Sequence, residues 1–199
     1  MRVKVCGITT LEDALLASDL GAHAVGFVFY EKSQRYIEPG EARKISIRLP
    51  AFLLKVGVFV EQDDDEIRRI MECVGLDRVQ VYRDVMIDPR VVIRAYRVRG
   101  KEDVEEAERG AFFPLLDTYA DAYGGSGKSF DWELLKGLRR PFILAGGIGL
   151  ENIEKVLEIG PYAIDVASGL EERPGKKDKR KMEAFFQRIK SYEKERILR

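Results

Sequence analysis

The feature that most constrains this chain is its alternation. Short runs rich in β-branched and aromatic residues recur at 3–6 (VKVC), 24–29 (AVGFVF), 53–60 (LLKVGVFV), 78–82 (RVQVY), 91–96 (VVIRAY), 112–117 (FFPLLD), 141–147 (PFILAGG) and 162–169 (YAIDVASG). Between most of them lie helical patterns, clearest at 10–20, 39–48, 63–74, 102–109, 128–138, 150–159 and 178–196. Strand-then-helix repetition means parallel strands joined by right-handed crossovers. Eight strands with nearly as many helices favour a closed (β/α)8 TIM barrel of class α/β, one domain over 1–199. At 199 residues the chain is lean for that fold, which usually takes about 250. An open doubly wound sheet is the alternative. It carries a Gly-rich turn after its first strand, where this chain has CGITT.

Local signals support the helices. Thr9 with Glu12 reads as a capping box. Acidic residues at 63–66 suit the positive end of a helix dipole, and Asp178 can cap the last helix. Gly21, Gly75, Gly110 and Gly160 mark helix ends. One unit breaks the pattern: between Tyr82 and Val91 stands only RDVMIDPR. A parallel crossover with its helix needs at least about 10–12 residues, and Asp88-Pro89 opposes a helix. The helix after strand 4 is therefore expected to be missing or reduced to a turn. The barrel exterior left bare there could be covered by a partner subunit, giving a homodimer, or by the long C-terminal helix.

Composition narrows the function classes. The 34 basic and 34 acidic residues cancel, so nothing calls for nucleic acid as a partner. The lysine- and arginine-rich C-terminal segment reads as a solvated helix face, with Met182, Phe185, Phe186 and Ile189 packed on the barrel. No apolar stretch approaches the roughly 20 residues that span a bilayer. With the first strand directly after Met1-Arg2, no signal peptide is expected. A cytoplasmic protein without a membrane partner is expected. Only two cysteines, Cys6 and Cys73, and one histidine, His23, are present, without CxxC or HxxxH spacing. Metal and disulfide readings are disfavoured, and Cys73 is expected to be a buried, inert thiol in its amphipathic helix. A high charged fraction of 34% with one asparagine, Asn152, reads as a thermophile's composition.

In a (β/α)8 barrel the active site forms at the C-terminal ends of the strands. Strand 1 ends in Cys6 and strand 6 in Asp117. The loop after strand 2 carries Lys32, Ser33 and Arg35. Strand 7 ends in Gly146-Gly147; strand 8 contains Asp165 and ends in Ser168-Gly169. Alternation puts Arg2, Lys4 and Cys6 on one face, and Phe113, Leu115 and Asp117 on one face. Strands 1 and 8 adjoin in a closed barrel, so Asp165 either pairs with Lys4 inside it or faces a ligand. Glycine turns on two adjacent strands let backbone N–H groups approach an anion, which points to a phosphate site. The Gly-rich stretch 118–132 reads as a mobile lid hinged at Gly124, Gly125 and Gly127. Trp132 reads as packing, and His23, before strand 2, has no catalytic role.

Taken together, KVCGIT, GFVFYEKSQRYI, VGVFV, LLDTYADAYGGSGKSFDW, LAGGIGLENI and DVASGLEERPGKKD resemble the phosphoribosylanthranilate isomerases of tryptophan biosynthesis, in order and through most of the chain. The resemblance implies an Amadori rearrangement that uses no cofactor. A small phosphosugar, N-(5-phosphoribosyl)anthranilate, would become 1-(2-carboxyphenylamino)-1-deoxyribulose 5-phosphate. It implies Cys6 as general base, Asp117 as general acid, and Arg35 as the receiver of the anthranilate carboxylate. Gly146, Gly147, Ser168 and Gly169 would be the phosphate turns. The family's QLHG is replaced by Gln80-Val81-Tyr82-Arg83, so the roles of its His-Gly pair do not carry over, and Arg83 is a candidate stand-in. Two other readings remain at this point. One is an aminoaldose isomerase of histidine biosynthesis, whose paired aspartates are not matched by a cysteine on strand 1. The other is a non-catalytic phosphate-ligand binder.

Overall fold

The computed structural model describes residues 1–118 and 131–197. Eight parallel strands run β1 (Arg2–Cys6), β2 (Ala24–Val28), β3 (Leu54–Phe59), β4 (Arg78–Val81), β5 (Val92–Val98), β6 (Phe113–Thr118), β7 (Ile143–Leu144) and β8 (Ala163–Val166). Each pairs with the next and β8 pairs back with β1, so the barrel closes. Around it stand α1 (Leu11–Leu20), α2 (Pro39–Ser46), α3 (Asp64–Val74), α4 (Lys101–Arg109), α5 (Ile153–Ile159) and α6 (Lys179–Ile197). A small antiparallel hairpin, β9 (Glu171–Arg173) and β10 (Lys176–Lys177), follows β8. The closed barrel expected from the alternation is what forms, and the open sheet is set aside.

The period-2 pattern divides each strand between two environments. Val3, Val5, Val25 and Phe27 face outward and are buried under helices with Ala14, Ala17 and Ile67. Inside, Ala24, Val56, Ile93, Leu115, Ile143 and Ala163 fill the N-terminal part of the barrel. Above them lie the buried polar residues Lys4, Gln80 and Asp165. Cys6, Val28 and Val58 form the layer at the mouth. The helix α6 packs on α1 and α5 through Met182, Phe185, Phe186 and Ile189, each 0–3% exposed. Each such side chain contributes about 1.5–3 kcal/mol of burial.

No α-helix follows β4; a single 3-10 turn, Pro89–Val91, replaces it. Its gap is closed by the connection itself. Val85 is buried and Ile87 and Val91 pack against the core. The Asp64 carboxylate accepts from the Met86 N–H at 2.6 Å and from Arg83 at 2.8 Å, anchoring the connection to α3. The C-terminal helix does not take this place, because it lies across α1 and α5 instead.

Four local expectations need correction. The cap of α1 is Thr10, whose Oγ1 accepts from the Asp13 N–H; Thr9 donates instead to the Gly175 carbonyl at 2.5 Å. Of the helix 128–138, residues 128–130 lie outside the described residues, and the remainder forms only a 3-10 turn, Trp132–Leu135. Gly110 ends α4 with φ −61°, so only Gly21, Gly75 and Gly160 use the left-handed conformation there. Cys73 is exposed, not buried, because α3 turns Ile67 and Val74 inward. Asp178 does cap α6, accepting from the Lys181 N–H at 3.0 Å.

Candidate active site

The C-terminal ends of the strands open into one cleft lined by Cys6, Tyr30, Arg35, Gln80, Tyr82, Asp117, Gly146, Gly147, Asp165 and Ser168. These come from β1, β4, β6 and β8 and from the loops after β2, β7 and β8. Cys6 closes β1, and Gly7 at φ +74° turns the chain at once toward α1. That glycine is also a matter of space: a Cβ there would lie 2.6 Å from Arg35 Cδ.

Below the mouth, Lys4 Nζ donates to Asp165 Oδ2 at 2.8 Å and to Gln80 Oε1 at 2.9 Å, all three buried. The pairing of Lys4 with Asp165 predicted from adjacent strands is therefore present, and Asp165 also lines the cleft. Its other oxygen, Oδ1, is buried with no hydrogen-bond partner among the described residues. Gly26 on β2 leaves room for this cluster, since a Cβ there would lie 2.8 Å from Cys6 Sγ and 3.1 Å from Lys4 Nζ. Burial pushes the Cys6 thiol pKa up and the Asp165 charge adds to the shift; Lys4 and Lys177 partly offset both.

Asp117 is held by two donors, the Thr118 N–H to Oδ1 at 2.8 Å and the Tyr82 hydroxyl to Oδ2 at 3.3 Å. Burial and the neighbouring Asp165 charge nevertheless raise its pKa to about 6. A carboxyl at that value exchanges a proton readily near neutrality. Tyr82 stands where the QLHG pattern has histidine. Arg83, the residue named as a stand-in from sequence, instead points its guanidinium at Asp64 and the Gln62 carbonyl and does not line the cleft. Tyr82 lies one residue past β4 and keeps to the cleft side with Gln80, so alternation carried beyond the strand's end was the one signal for it.

The turns after β7 and β8 form the other end of the cleft. Gly146 and Gly147 have φ +87° and +63°. The side chain of Asn152 pins the turn, donating to the Gly147 carbonyl at 2.8 Å and accepting from the Gly149 N–H at 3.0 Å. Gly147, Ile148 and Ser168 line the cleft, and their N–H groups make no hydrogen bond among the described residues. Gly169 lies behind the lining, against Ile148 and Gly149, where a Cβ would not fit. Asn152 was missed as a site residue; a lone asparagine three positions after Gly149 was its only mark.

Arg35 lies at the cleft's third side, buried, with Nε and Nη2 engaged by Glu171. Ser33 lines the cleft too, whereas Lys32 pairs with Glu61 at the exposed rim. Trp132 is buried in the outer core, and His23 accepts from the Val3 N–H at the opposite end of the barrel. The lid glycines Gly124, Gly125 and Gly127 lie outside the described residues. Among the described residues, no group of three or more His, Cys, Asp or Glu side chains is placed to hold a metal ion.

Comparison with known proteins bears on the chain's family and fold. The family model described as N-(5'phosphoribosyl)anthranilate (PRA) isomerase matches residues 3–188. An N-(5'-phosphoribosyl)anthranilate isomerase of Thermotoga maritima is 45% identical over 202 residues, covering 96% of this chain and 98% of the relative. The crystal structure of the phosphoribosyl anthranilate isomerase from Thermotoga maritima aligns with a TM-score of 0.86 and 42% identity, over 96% of this chain and 99% of that one. A phosphoribosyl anthranilate isomerase in complex with reduced 1-(o-carboxyphenylamino)-1-deoxyribulose 5-phosphate aligns with a TM-score of 0.82 and 39% identity, over 96% and 99%. A third structure, of monomers derived from the dimeric Thermotoga maritima enzyme, aligns at 0.83 and 38%, over the same shares.

Proposed function

The chain belongs to the N-(5'-phosphoribosyl)anthranilate isomerase family, and from that premise we propose that Cys6 and Asp117 carry the base and acid steps of its reaction. The protein is an isomerase of tryptophan biosynthesis that rearranges phosphoribosylanthranilate. The observation that carries the residue assignment is that Cys6 on β1 and Asp117 on β6, separated by two strands, line one cleft with the glycine turns and Arg35.

Asp117 gives its proton to the furanose ring oxygen, and the C1–O bond opens to an iminium. The Cys6 thiolate then takes the proton from C2, leaving an enolamine that tautomerises to the aminoketose. One proton is given and one taken, as an isomerisation requires. The Gly146-Gly147 and Ser168-Gly169 turns hold the phosphate, with the N–H groups of Gly147, Ile148 and Ser168 facing it and Gly169 allowing the close packing behind. Arg35 receives the anthranilate carboxylate, a planar anion suited to a guanidinium. Asp165, through its unpartnered Oδ1, accepts from a sugar hydroxyl.

The pH dependence follows from the two shifts. Asp117 acts as an acid with a pKa of about 6 and Cys6 as a base with a pKa above the usual thiol value. The two sites interact, so the apparent values belong to the pair. Tyr82 is the lever. Its hydrogen bond favours the carboxylate form of Asp117. With the acid's pKa below the base's, the acidic limb of kcat/KM breaks at the Asp117 value, and Tyr82→Phe is expected to move that limb to higher pH by roughly one unit, about 1.4 kcal/mol of lost preference for the carboxylate. An unchanged profile would remove Tyr82 from the site's chemistry.

A homodimer is proposed as well. Supporting it are the dimeric Thermotoga maritima relative and the exposed apolar side chains Ile47 (69%), Phe52 (99%) and Leu54 (41%) at the N-terminal end of β3. A solution mass equal to one 22.7 kDa chain would contradict it. A cytoplasmic location fits a biosynthetic isomerase, and among the described residues no helix is long and apolar enough to cross a membrane.

A further inference from the structure

The segment after β8 supplies two buried charges that the reaction as described does not use. Glu171 and Lys177, on the two strands of the β9–β10 hairpin, are 5% and 3% exposed. Glu171 takes the Arg35 guanidinium side-on, Nε to Oε1 at 2.9 Å and Nη2 to Oε2 at 2.6 Å. Lys177 Nζ donates to Glu171 Oε1 at 2.9 Å, to the Cys6 carbonyl at 2.6 Å and to the Ala167 carbonyl at 3.3 Å. The Gly175 N–H adds a fourth contact to Glu171, 3.3 Å to Oε1. Burial works against the Glu171 carboxylate, but hydrogen bonds and charge from Arg35 and Lys177 outweigh it and keep it ionised.

We propose that Glu171 is a positioning residue for substrate recognition: it fixes the Arg35 guanidinium so that Nη1, the one nitrogen without a partner among the described residues, faces the carboxylate of the bound anthranilate. A guanidinium held along one edge has its plane and its third nitrogen set together. A free arginine would lose rotamer entropy on binding, which this clamp removes beforehand. Lys177 does the same for the clamp, tying Glu171 to the ends of β1 and β8 that carry Cys6 and Ala167. The orientation of Arg35 is thereby referenced to the backbone that bears the base.

The inference rests on Arg35 being the carboxylate's receiver, and the test separates the two. Two probes are titrated: reduced 1-(o-carboxyphenylamino)-1-deoxyribulose 5-phosphate and its phenylamino counterpart lacking the carboxyl group. The readout is the ratio of their dissociation constants, which a general loss of packing does not move. Wild type is expected to prefer the carboxylated probe by at least about tenfold, the effect of one well-placed charged hydrogen bond. Arg35→Met should bring the ratio near one. Glu171→Gln, which keeps the shape and loses the charge, and Glu171→Asp, which keeps the charge and loses the reach, should each cut it by about fivefold or more. If Arg35→Met keeps the full ratio, the assignment of Arg35 is wrong. If Arg35→Met collapses it while either folded Glu171 variant retains it, Arg35 stands and the positioning role of Glu171 is overturned.

Discussion

Asp117→Asn is expected to lower kcat by about 10²- to 10⁴-fold, the range for removing a general acid, and at the same time to make the protein more stable at neutral pH. Both effects have one cause. The Asp117 pKa rises from an ordinary 3.8 to about 6 because the carboxylate is buried next to Asp165. A carboxyl group whose folded pKa exceeds its unfolded one binds its proton more tightly in the native state. Stability is therefore lost as pH climbs through about 4 to 6, and the cost persists above. Asparagine removes that cost and can still accept from Tyr82 or the Thr118 N–H. After allowance for solvent at the mouth, the gain is about 1–2 kcal/mol at pH 7.5, shrinking to nothing below about pH 4. Urea unfolding at both pH values checks it. A variant that is inactive but less stable at pH 7.5 would show that the site does not strain Asp117 in the way described.

The largest stability effect is expected one layer deeper. Lys4 is 4% exposed and bonded to both Asp165 and Gln80. Lys4→Met leaves the Asp165 carboxylate buried without its counter-charge, and breaking a buried pair from one side costs about 3–5 kcal/mol. The cost should be partly recovered by adding Asp165→Leu, since two apolar side chains of similar size can replace a buried pair. Catalysis should not recover with it. Lys4 offsets the burial and negative charge that push the Cys6 thiol up, and the double variant lacks that offset and the free Asp165 oxygen. A loss below about 1 kcal/mol in the single variant, the range of an exposed pair, would contradict the buried network.

Much of the barrel was legible because a closed sheet under helices imposes a simple period. Alternation placed Cys6 and Asp117 on inward faces and, through adjacent strands, brought Lys4 to Asp165. The same rule held for α3: residues 67, 70, 71 and 74 form its apolar stripe, and Cys73 lies off it, so the exposed thiol was readable from spacing. Other features depend on contacts far apart in the chain. Thr9 does not cap α1 because its hydroxyl is used by Gly175, 166 positions away. Glu171 and Lys177 carry no local mark of function. Their partners Arg35 and Cys6 lie 136 and 171 positions earlier, and only the closed barrel brings them together. Residue 82 was visible as a departure from the family pattern, but which of Tyr82 and Arg83 faced the cleft depended on where strand β4 ends. The shortened crossover then drew Arg83 outward to Asp64.

The central claim is that Cys6 and Asp117 act on one substrate as base and acid of one rearrangement. The most direct test generates phosphoribosylanthranilate in situ and follows loss of its fluorescence with wild type, Cys6→Ala, Asp117→Asn and the double variant. The account predicts an active wild type and single variants each reduced by about 10²-fold or more. Because the two residues serve one reaction coordinate, the double variant should be little worse than the poorer single one. Full activity in either single variant, with the chain folded, would contradict it.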